Sequence, residues 1–331
     1  MYTNRHHIDI VVCIDRNYVM PCGVMLHSIC KNNQESEITF HIVIDESVNQ
    51  TMQQSLENIL LPKSSKTGRF YCINHDYSYL PRLDETNPKK YITKAAYYRL
   101  YLTKILPQSI NKVLYLDCDI IVRRSLKDLW NTDLGNNFVG VIPDVGEGMI
   151  DKYNRLRYSP HKGYFNSGVQ LINLKKWRDE QIIEKFANFM KEHPDWIKLH
   201  DQDVMNRIFC DSKCILPITY NFQEGFLWND IFYDYWKYEE QVLAARKDPV
   251  ILHFTDSKPW IEGCEHPYRD EFFKYQKETE WAGTPLLTYG PTPRLKHKIM
   301  NYIKNILRHM KILSPLPTYP PKYINLDNNV K

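Results

Sequence analysis

Short β-branched runs alternate with amphipathic stretches along this chain as far as Trp260. Ile8-Asp9-Ile10-Val11-Val12-Cys13-Ile14 predicts a buried strand, and the residues from Pro21 to Lys31 predict the helix after it. Further strands are expected over 40–44, 70–73, 113–116, 138–142, 168–173 and 250–254. Helices are expected near 51–61, over 93–105 with Thr93 as N-cap and Pro107 as stop, and over 177–190. Strand–helix alternation requires crossovers, so the expected fold is α/β: a Rossmann-like, doubly wound, mostly parallel sheet flanked by helices. In such sheets ligands bind beyond the carboxyl ends of the strands. Polar residues just past apolar runs are therefore the first candidates for chemistry, and these are Asp15, Asp117, Asp119, Asp144 and His253.

After Trp281 the pattern changes. Gly283, Pro285, Gly290, Pro291 and Pro293 mark a linker, and Pro315, Pro317, Pro320 and Pro321 a tail with little regular structure. Between them, from Arg294 to Leu313, stand six basic residues and no acidic one (Arg294, Lys296, Lys298, Lys304, Arg308 and Lys311). The formal net charge is only +4, so the whole positive balance sits in that stretch. Ile299, Ile303, Ile306 and Met310 recur there at helical spacing, which reads as a basic amphipathic helix on an anionic bilayer surface. A helix packed on the body with a solvated basic face is the plainer alternative. The expected division is thus a catalytic domain over 1–281 and a basic, membrane-associating extension over 282–331. No nucleic-acid recognition fold accompanies the basic patch, so no nucleic-acid partner is expected.

Apolar residues make up 43% of the chain, which excludes a disordered polymer. No apolar run approaches the roughly 20 residues that span a bilayer, and Met1 to His7 is polar, without a signal core. Eight cysteines lack zinc-finger spacing, and several sit in strand-like runs. Reduced thiols and a cytoplasmic protein are expected.

The strongest local signal is Leu114-Tyr115-Leu116-Asp117-Cys118-Asp119, an apolar strand delivering two carboxylates one residue apart. Such carboxylates repel unless a cation or proton intervenes, and oxygen ligands suit Mn²⁺, with Mg²⁺ as the alternative. The same spacing also occurs in surface turns. Downstream, Val250-Ile251-Leu252-His253-Phe254 ends on a histidine suited to Mn²⁺, and Lys258 follows. Taken alone, His253 reads more readily as a structural histidine than as a ligand.

Six segments in one order carry a resemblance: Asp15-Arg16-Asn17-Tyr18, Ala96-Tyr97-Tyr98-Arg99-Leu100, Tyr115 to Asp119, Tyr164-Phe165-Asn166-Ser167-Gly168-Val169, Asp201-Gln202-Asp203, and His253 through Trp260. From residue 8 to about 281 the chain resembles the retaining glycosyltransferases of family 8, particularly the bacterial lipopolysaccharide glucosyl- and galactosyltransferases. The resemblance implies a GT-A fold. It implies that Asp117, Asp119 and His253 hold Mn²⁺ against the pyrophosphate of a UDP-sugar, with Cys118 beside it. Asp15 and Asn17 would line the uridine pocket, though Asn17 also suits a plain turn. Arg99, otherwise an ion-paired group on an amphipathic helix, would face the donor sugar, as would Asn166, Ser167 and Asp201. Gln202 would lie opposite the departing UDP, Lys258 would touch phosphate, and Asp144 would approach the acceptor. One departure is visible: Asp256 stands where the family often has glycine, in a His-to-Lys segment one residue shorter.

Gln202 is an amide and a poor nucleophile, so front-face attack is preferred over a covalent intermediate. Gln202, Asp201 and Arg99 are the expected catalytic residues. The resulting expectation is a Mn²⁺-dependent transfer of glucose or galactose from a UDP-sugar to a lipid-linked, lipopolysaccharide-type glycan at the inner face of the cytoplasmic membrane. The alternatives are a catalytically silent sugar-nucleotide or glycan-binding scaffold and a nucleotidyltransferase. The latter would carry a glycine-rich basic loop after the first strand, which Asp15-Arg16-Asn17-Tyr18 is not.

Overall fold

A computed structural model describes residues 7–61, 65–73, 95–227 and 235–288, together with 303, 306, 307, 310 and 312. Among the described residues, ten strands fall into two sheets. They are β1 (His7–Ile14), β2 (Glu37–Ile44), β3 (Lys66–Cys72), β4 (Lys112–Leu116), β5 (Ile120–Val122), β6 (Val139–Pro143), β7 (Phe165–Asn173), β8 (Lys213–Ile215), β9 (Phe222–Gln223) and β10 (Ile251–His253). The large sheet runs β3-β2-β1-β4-β7-β6-β8. Its pairings are parallel except around β7, which is antiparallel to both β4 and β6.

Side-chain alternation along the strands divides the core between the two faces. Ile8, Ile10, Val12 and Ile14 of β1, with Leu114 and Leu116 of β4, pack against Val24, Met25 and Leu26 of the helix Val19–Asn32 and Leu56 of the helix Gln50–Leu60. Val11, Val113 and Tyr115 point the other way, toward Trp177 and Phe186. Truncating one of these fully buried side chains to Ala should cost about 2–5 kcal/mol. Pro21 is tolerated in the first turn of its helix because that N–H has no intrahelical partner.

Three expectations need correction. The helix expected over 177–190 is two helices, Leu174–Asp179 and Ile182–Glu192, parted by Gln181 in the left-handed region at φ 51°. The helix expected over 93–105 is three pieces, Ala95–Tyr98, a tighter 3₁₀ turn Arg99–Tyr101, and Leu102–Ile105. Its expected N-cap, Thr93, lies outside the described residues. The strand ending at His253 belongs to neither flank of the large sheet. It lies at the centre of a small second sheet, β5-β10-β9, antiparallel to β5 and parallel to β9.

All eight cysteines are free thiols. Main-chain pairing with the body continues past Trp281 as far as Leu287, whose N–H donates to the carbonyl of Trp260 at 2.9 Å. Most of 294–313 lies outside the described residues; of those described there, Ile303, Ile306, Met310 and Ile312 are exposed. Among the described residues no helix is long and apolar enough to cross a membrane.

Candidate active site

The carboxyl ends of β1 and β4 open into a cavity of about 400 Å³. Eleven of the thirteen residues singled out from sequence line it: Asp15, Arg99, Asp117, Cys118, Asp119, Asn166, Ser167, Asp201, Gln202, His253 and Lys258. The other two sit elsewhere. Asn17 is exposed, and its backbone N–H is capped by Asp15, whose carboxylate accepts it at 2.8 Å. Asp144 stands one hydrogen bond behind the cavity wall, accepting from Gln202 Nε2 at 3.2 Å and Asn166 Nδ2 at 3.3 Å.

Backbone pairing brings the metal candidates together. β4 ends at Leu116, and the Asp117 N–H then donates to the carbonyl of Gly168 at 2.8 Å. The chain turns through Cys118 and Asp119 into β5, whose partner is β10, with Ile120 opposite His253. The Phe254 N–H closes that corner on the carbonyl of Asp119 at 2.9 Å. As a result the nearest ligand atoms of Asp117, Asp119 and His253 all lie within 4.8 Å of one another.

Each carboxylate has one oxygen already taken by a cation. Asp117 Oδ1 accepts from Arg99 Nη2 at 2.7 Å and from the Tyr115 hydroxyl at 2.8 Å. Asp119 Oδ2 accepts from Lys258 Nζ at 2.5 Å. The remaining oxygens, Asp117 Oδ2 and Asp119 Oδ1, face His253 Nε2 at 3.9 and 3.2 Å. Two carboxylate oxygens and one imidazole nitrogen form a donor set that fits Mn²⁺ or Mg²⁺. Space is kept for it by a glycine. A Cβ on Gly168 would meet His253 Cε1 at 2.3 Å and Asp117 Oδ2 at 2.7 Å. Burial tends to raise the Asp119 carboxyl, yet Lys258 and His253 outweigh it and hold the group well below its ordinary range.

Arg99 links the metal candidates to the Asp201-Gln202 segment. It is buried on the 3₁₀ turn, with its guanidinium carbon 4.3 Å from the centre of the Tyr115 ring. Nη1 donates to the Ser167 carbonyl at 2.7 Å, and Nε lies 3.3 Å from Asp201 Oδ2. Burial opposes its charge, but Asp117 and Asp201 overcome that and raise its pKa further. Asp201 is affected the other way. Its burial lifts the carboxyl to about 6, with Arg99 pulling down and Asp117 pushing up.

Gln202 is oriented at both ends. Its Oε1 accepts the Ser167 N–H at 3.0 Å while its amide nitrogen donates to Asp144. The Ser167 backbone is available because the register of β6 against β7 slips between Val141 and Ile142, where Val141 faces Gln170 but Ile142 faces Asn166. That bulge turns residues 166–168 toward the cavity. Asp203 does not share this exposure: it is fully buried and held by Arg155, Tyr164 and the N–H groups of Lys198 and Leu199.

The shortened loop after β10 is pinned from behind. Glu224 accepts the Ser257 N–H at 2.8 Å and its hydroxyl at 3.2 Å, and Asp256 is exposed. Lys258 is thereby turned inward, where its ammonium also donates to the carbonyls of Phe254 and Thr255. The sequence alone assigns no role to Tyr115, to Glu224, to Asn221, which meets His253 Nδ1 at 2.8 Å, or to Tyr18, which lines the cavity. Only Tyr115 and Tyr18 had a signal, since both stand inside quoted segments.

The pattern described as Glycosyl transferase family 8 matches residues 9–264. General stress protein A of Bacillus subtilis is 32% identical over 287 residues, covering 85% of this chain and 97% of that one. Lipopolysaccharide glucosyltransferase WaaO of Escherichia coli is 28% identical over 307 residues, covering 90% and 86%. Among solved structures, the galactosyltransferase LgtC in complex with donor and acceptor sugar analogues superposes with a TM-score of 0.74 at 27% identity. That match covers 82% of this chain and 96% of LgtC. The sheet order, the cavity beyond its carboxyl edge and the extent of these matches agree, and the chain belongs to glycosyltransferase family 8 with a GT-A fold.

Proposed function

We propose that this glycosyltransferase moves glucose or galactose, with retention at the anomeric carbon, from a UDP-sugar to a lipopolysaccharide-type glycan. The observation that carries this reading is the convergence of Asp117, Asp119 and His253 in one cavity with Arg99, Asp201 and Gln202. The family membership and the similarity to a lipopolysaccharide glucosyltransferase support the substrate class.

The metal would be held by Asp117, Asp119 and His253, and the ion proposed is Mn²⁺. Bound there, it supplies Lewis-acid neutralisation of the charge that grows on the departing diphosphate. Lys258, one turn of loop away from His253, adds a second positive group on the phosphate side once it leaves Asp119. Asp15 and the turn carrying Asn17 form the wall at the end of β1, where the uridine is placed, beside Cys118. Arg99 keeps Asp117 and Asp201 apart, so that Asp201 can accept from sugar hydroxyls together with Asn166 and Ser167.

Gln202 presents a polar amide with no covalent role. In the proposed step the bond from the anomeric carbon to the phosphate oxygen breaks and its electron pair leaves with UDP. The acceptor oxygen bonds to the same face, and its proton passes to the departing phosphate. The amide of Gln202 stabilises the electron-poor carbon from the opposite face. Asp144, behind the cavity wall, would act on the acceptor only through Gln202, which donates to it. The exposed Ile303, Ile306 and Met310 fit an extension that rests on the inner face of the cytoplasmic membrane, bringing the site to a lipid-linked acceptor.

The test is a panel of UDP-sugars incubated with the protein and Mn²⁺ and scored for release of UDP. Release from UDP-glucose or UDP-galactose, abolished by chelation, is expected. Silence across the panel, or release that ignores chelator, contradicts the reading.

A further inference from the structure

Behind His253 runs a chain of hydrogen bonds whose direction is fixed at its far end. Asn166 is anchored without ambiguity. Its Oδ1 accepts from the backbone N–H of Gly168 at 3.0 Å, which can only donate, and its Nδ2 faces the Asp144 carboxylate at 3.3 Å, which accepts when ionised. The same Oδ1 is 2.9 Å from Asn221, so Asn221 must turn its Nδ2 toward it. The carbonyl oxygen of Asn221 is thereby left facing His253 Nδ1 at 2.8 Å. A carbonyl only accepts, so Nδ1 must carry a proton, and Nε2 is the nitrogen left to bind a cation. Nε2 is the atom that faces Asp119 and Asp117. Asn221 is fully buried, as expected of a group that exchanges no bonds with water.

We propose that Asn221 is a positioning residue for the metal site, selecting the His253 tautomer and ring orientation through the relay Gly168–Asn166–Asn221–His253. Outer partners of this kind typically change metal affinity by about 10- to 100-fold when removed. The relay has a second consequence. Asn166 carries both the tautomer signal and a hydrogen bond to Asp144, which also holds Gln202, so the metal ligand and the amide on the far side of the cavity share one anchor. The sugar-facing strand end and the cation are positioned by the same residue.

The inference rests on the metal reading above, and two measurements separate them. In the Asn221→Leu variant, which keeps the side-chain size but removes the acceptor, Mn²⁺ titrated without nucleotide should bind about 10- to 100-fold more weakly, with the fold checked by circular dichroism. In the native protein loaded with diamagnetic Cd²⁺, nitrogen NMR of the His253 ring should show the metal on Nε2 and the proton on Nδ1. Metal on Nδ1, or unchanged Mn²⁺ affinity in folded Asn221→Leu, overturns the relay while leaving the metal site standing. A native protein that takes up neither ion overturns both. The spectrum of the native protein decides the matter even if the variant does not fold.

Discussion

Nε2 of His253 lies 3.2 Å from Oδ1 of Asp119; His253 ends β10 and Asp119 immediately precedes β5, the strand paired with it. The contact is built from main chain: β10 pairs with β5, and the Phe254 N–H, just past His253, is tied to the carbonyl of Asp119, just before Ile120. The outer oxygen of each aspartate is occupied by a cation of the protein itself, and the inner pair faces His253 Nε2.

Arg99 is the one guanidinium between Asp117 and Asp201 among the described residues, and it is buried. Arg99→Met should therefore lose about 3–5 kcal/mol of stability, because two carboxylates are left without their partner. Arg99→Lys should recover only part of this, since an ammonium cannot reach both acids and the Ser167 carbonyl with the same planar fork. Urea unfolding of the two variants checks the order.

Asp201 sets a pH signature. Its carboxyl is raised from 3.8 to about 6 by burial, so between those values the folded state holds more protons than the unfolded one. The contribution favours folding below pH 4 and is lost as pH rises through about 6. Asp201→Asn, which cannot ionise, should gain on the native protein by on the order of 3 kcal/mol between pH 4 and pH 7. A stability gap between the two that is flat with pH contradicts the assignment.

Gly168 is the tightest steric constraint on the site. Gly168→Ala places a methyl against His253 and Asp117, so the ring or the strand must move. We expect a cost of about 1–3 kcal/mol in thermal unfolding and a clear loss of Mn²⁺ affinity. A variant that binds Mn²⁺ as tightly as the native protein shows that the ring is not where the structure has it.

Truncation after Thr292 removes all six basic residues of the stretch from Arg294 to Leu313. Attraction of about 1 kcal/mol per basic residue near an anionic surface would be lost with them. The truncated protein should float free of anionic vesicles in a sedimentation assay while still hydrolysing UDP-sugar. Equal vesicle binding by both forms rejects the membrane role.

The parts legible in the sequence were those set by short-range pattern. The β-branched runs at Ile8 and Val113 gave two central strands, and an apolar strand running into Asp117-Cys118-Asp119 gave the site its place. Strand direction was not legible: the run in β7 looks the same read either way, and only the fold shows that it is antiparallel to its neighbours. The run ending at His253 was legible as a strand, but its separate sheet was not, because the partners β5 and β9 are three and two residues long, too short to show a period. Gln181 carries no glycine signal for its left-handed turn, so two helices read as one. Asn221 is an isolated polar residue in an irregular segment, and its role depends on partners brought in from β7 and β10. Asn17 shows the converse: a residue carried over by motif that the chain leaves at the surface.

The most direct measurement is a calorimetric titration of Mn²⁺ into the native protein and into Asp119→Asn and His253→Ala. The account predicts one ion per native chain and a loss of binding in both variants, with UDP release falling on the order of 10²- to 10³-fold. Unaltered Mn²⁺ binding and UDP release in the two variants would contradict it.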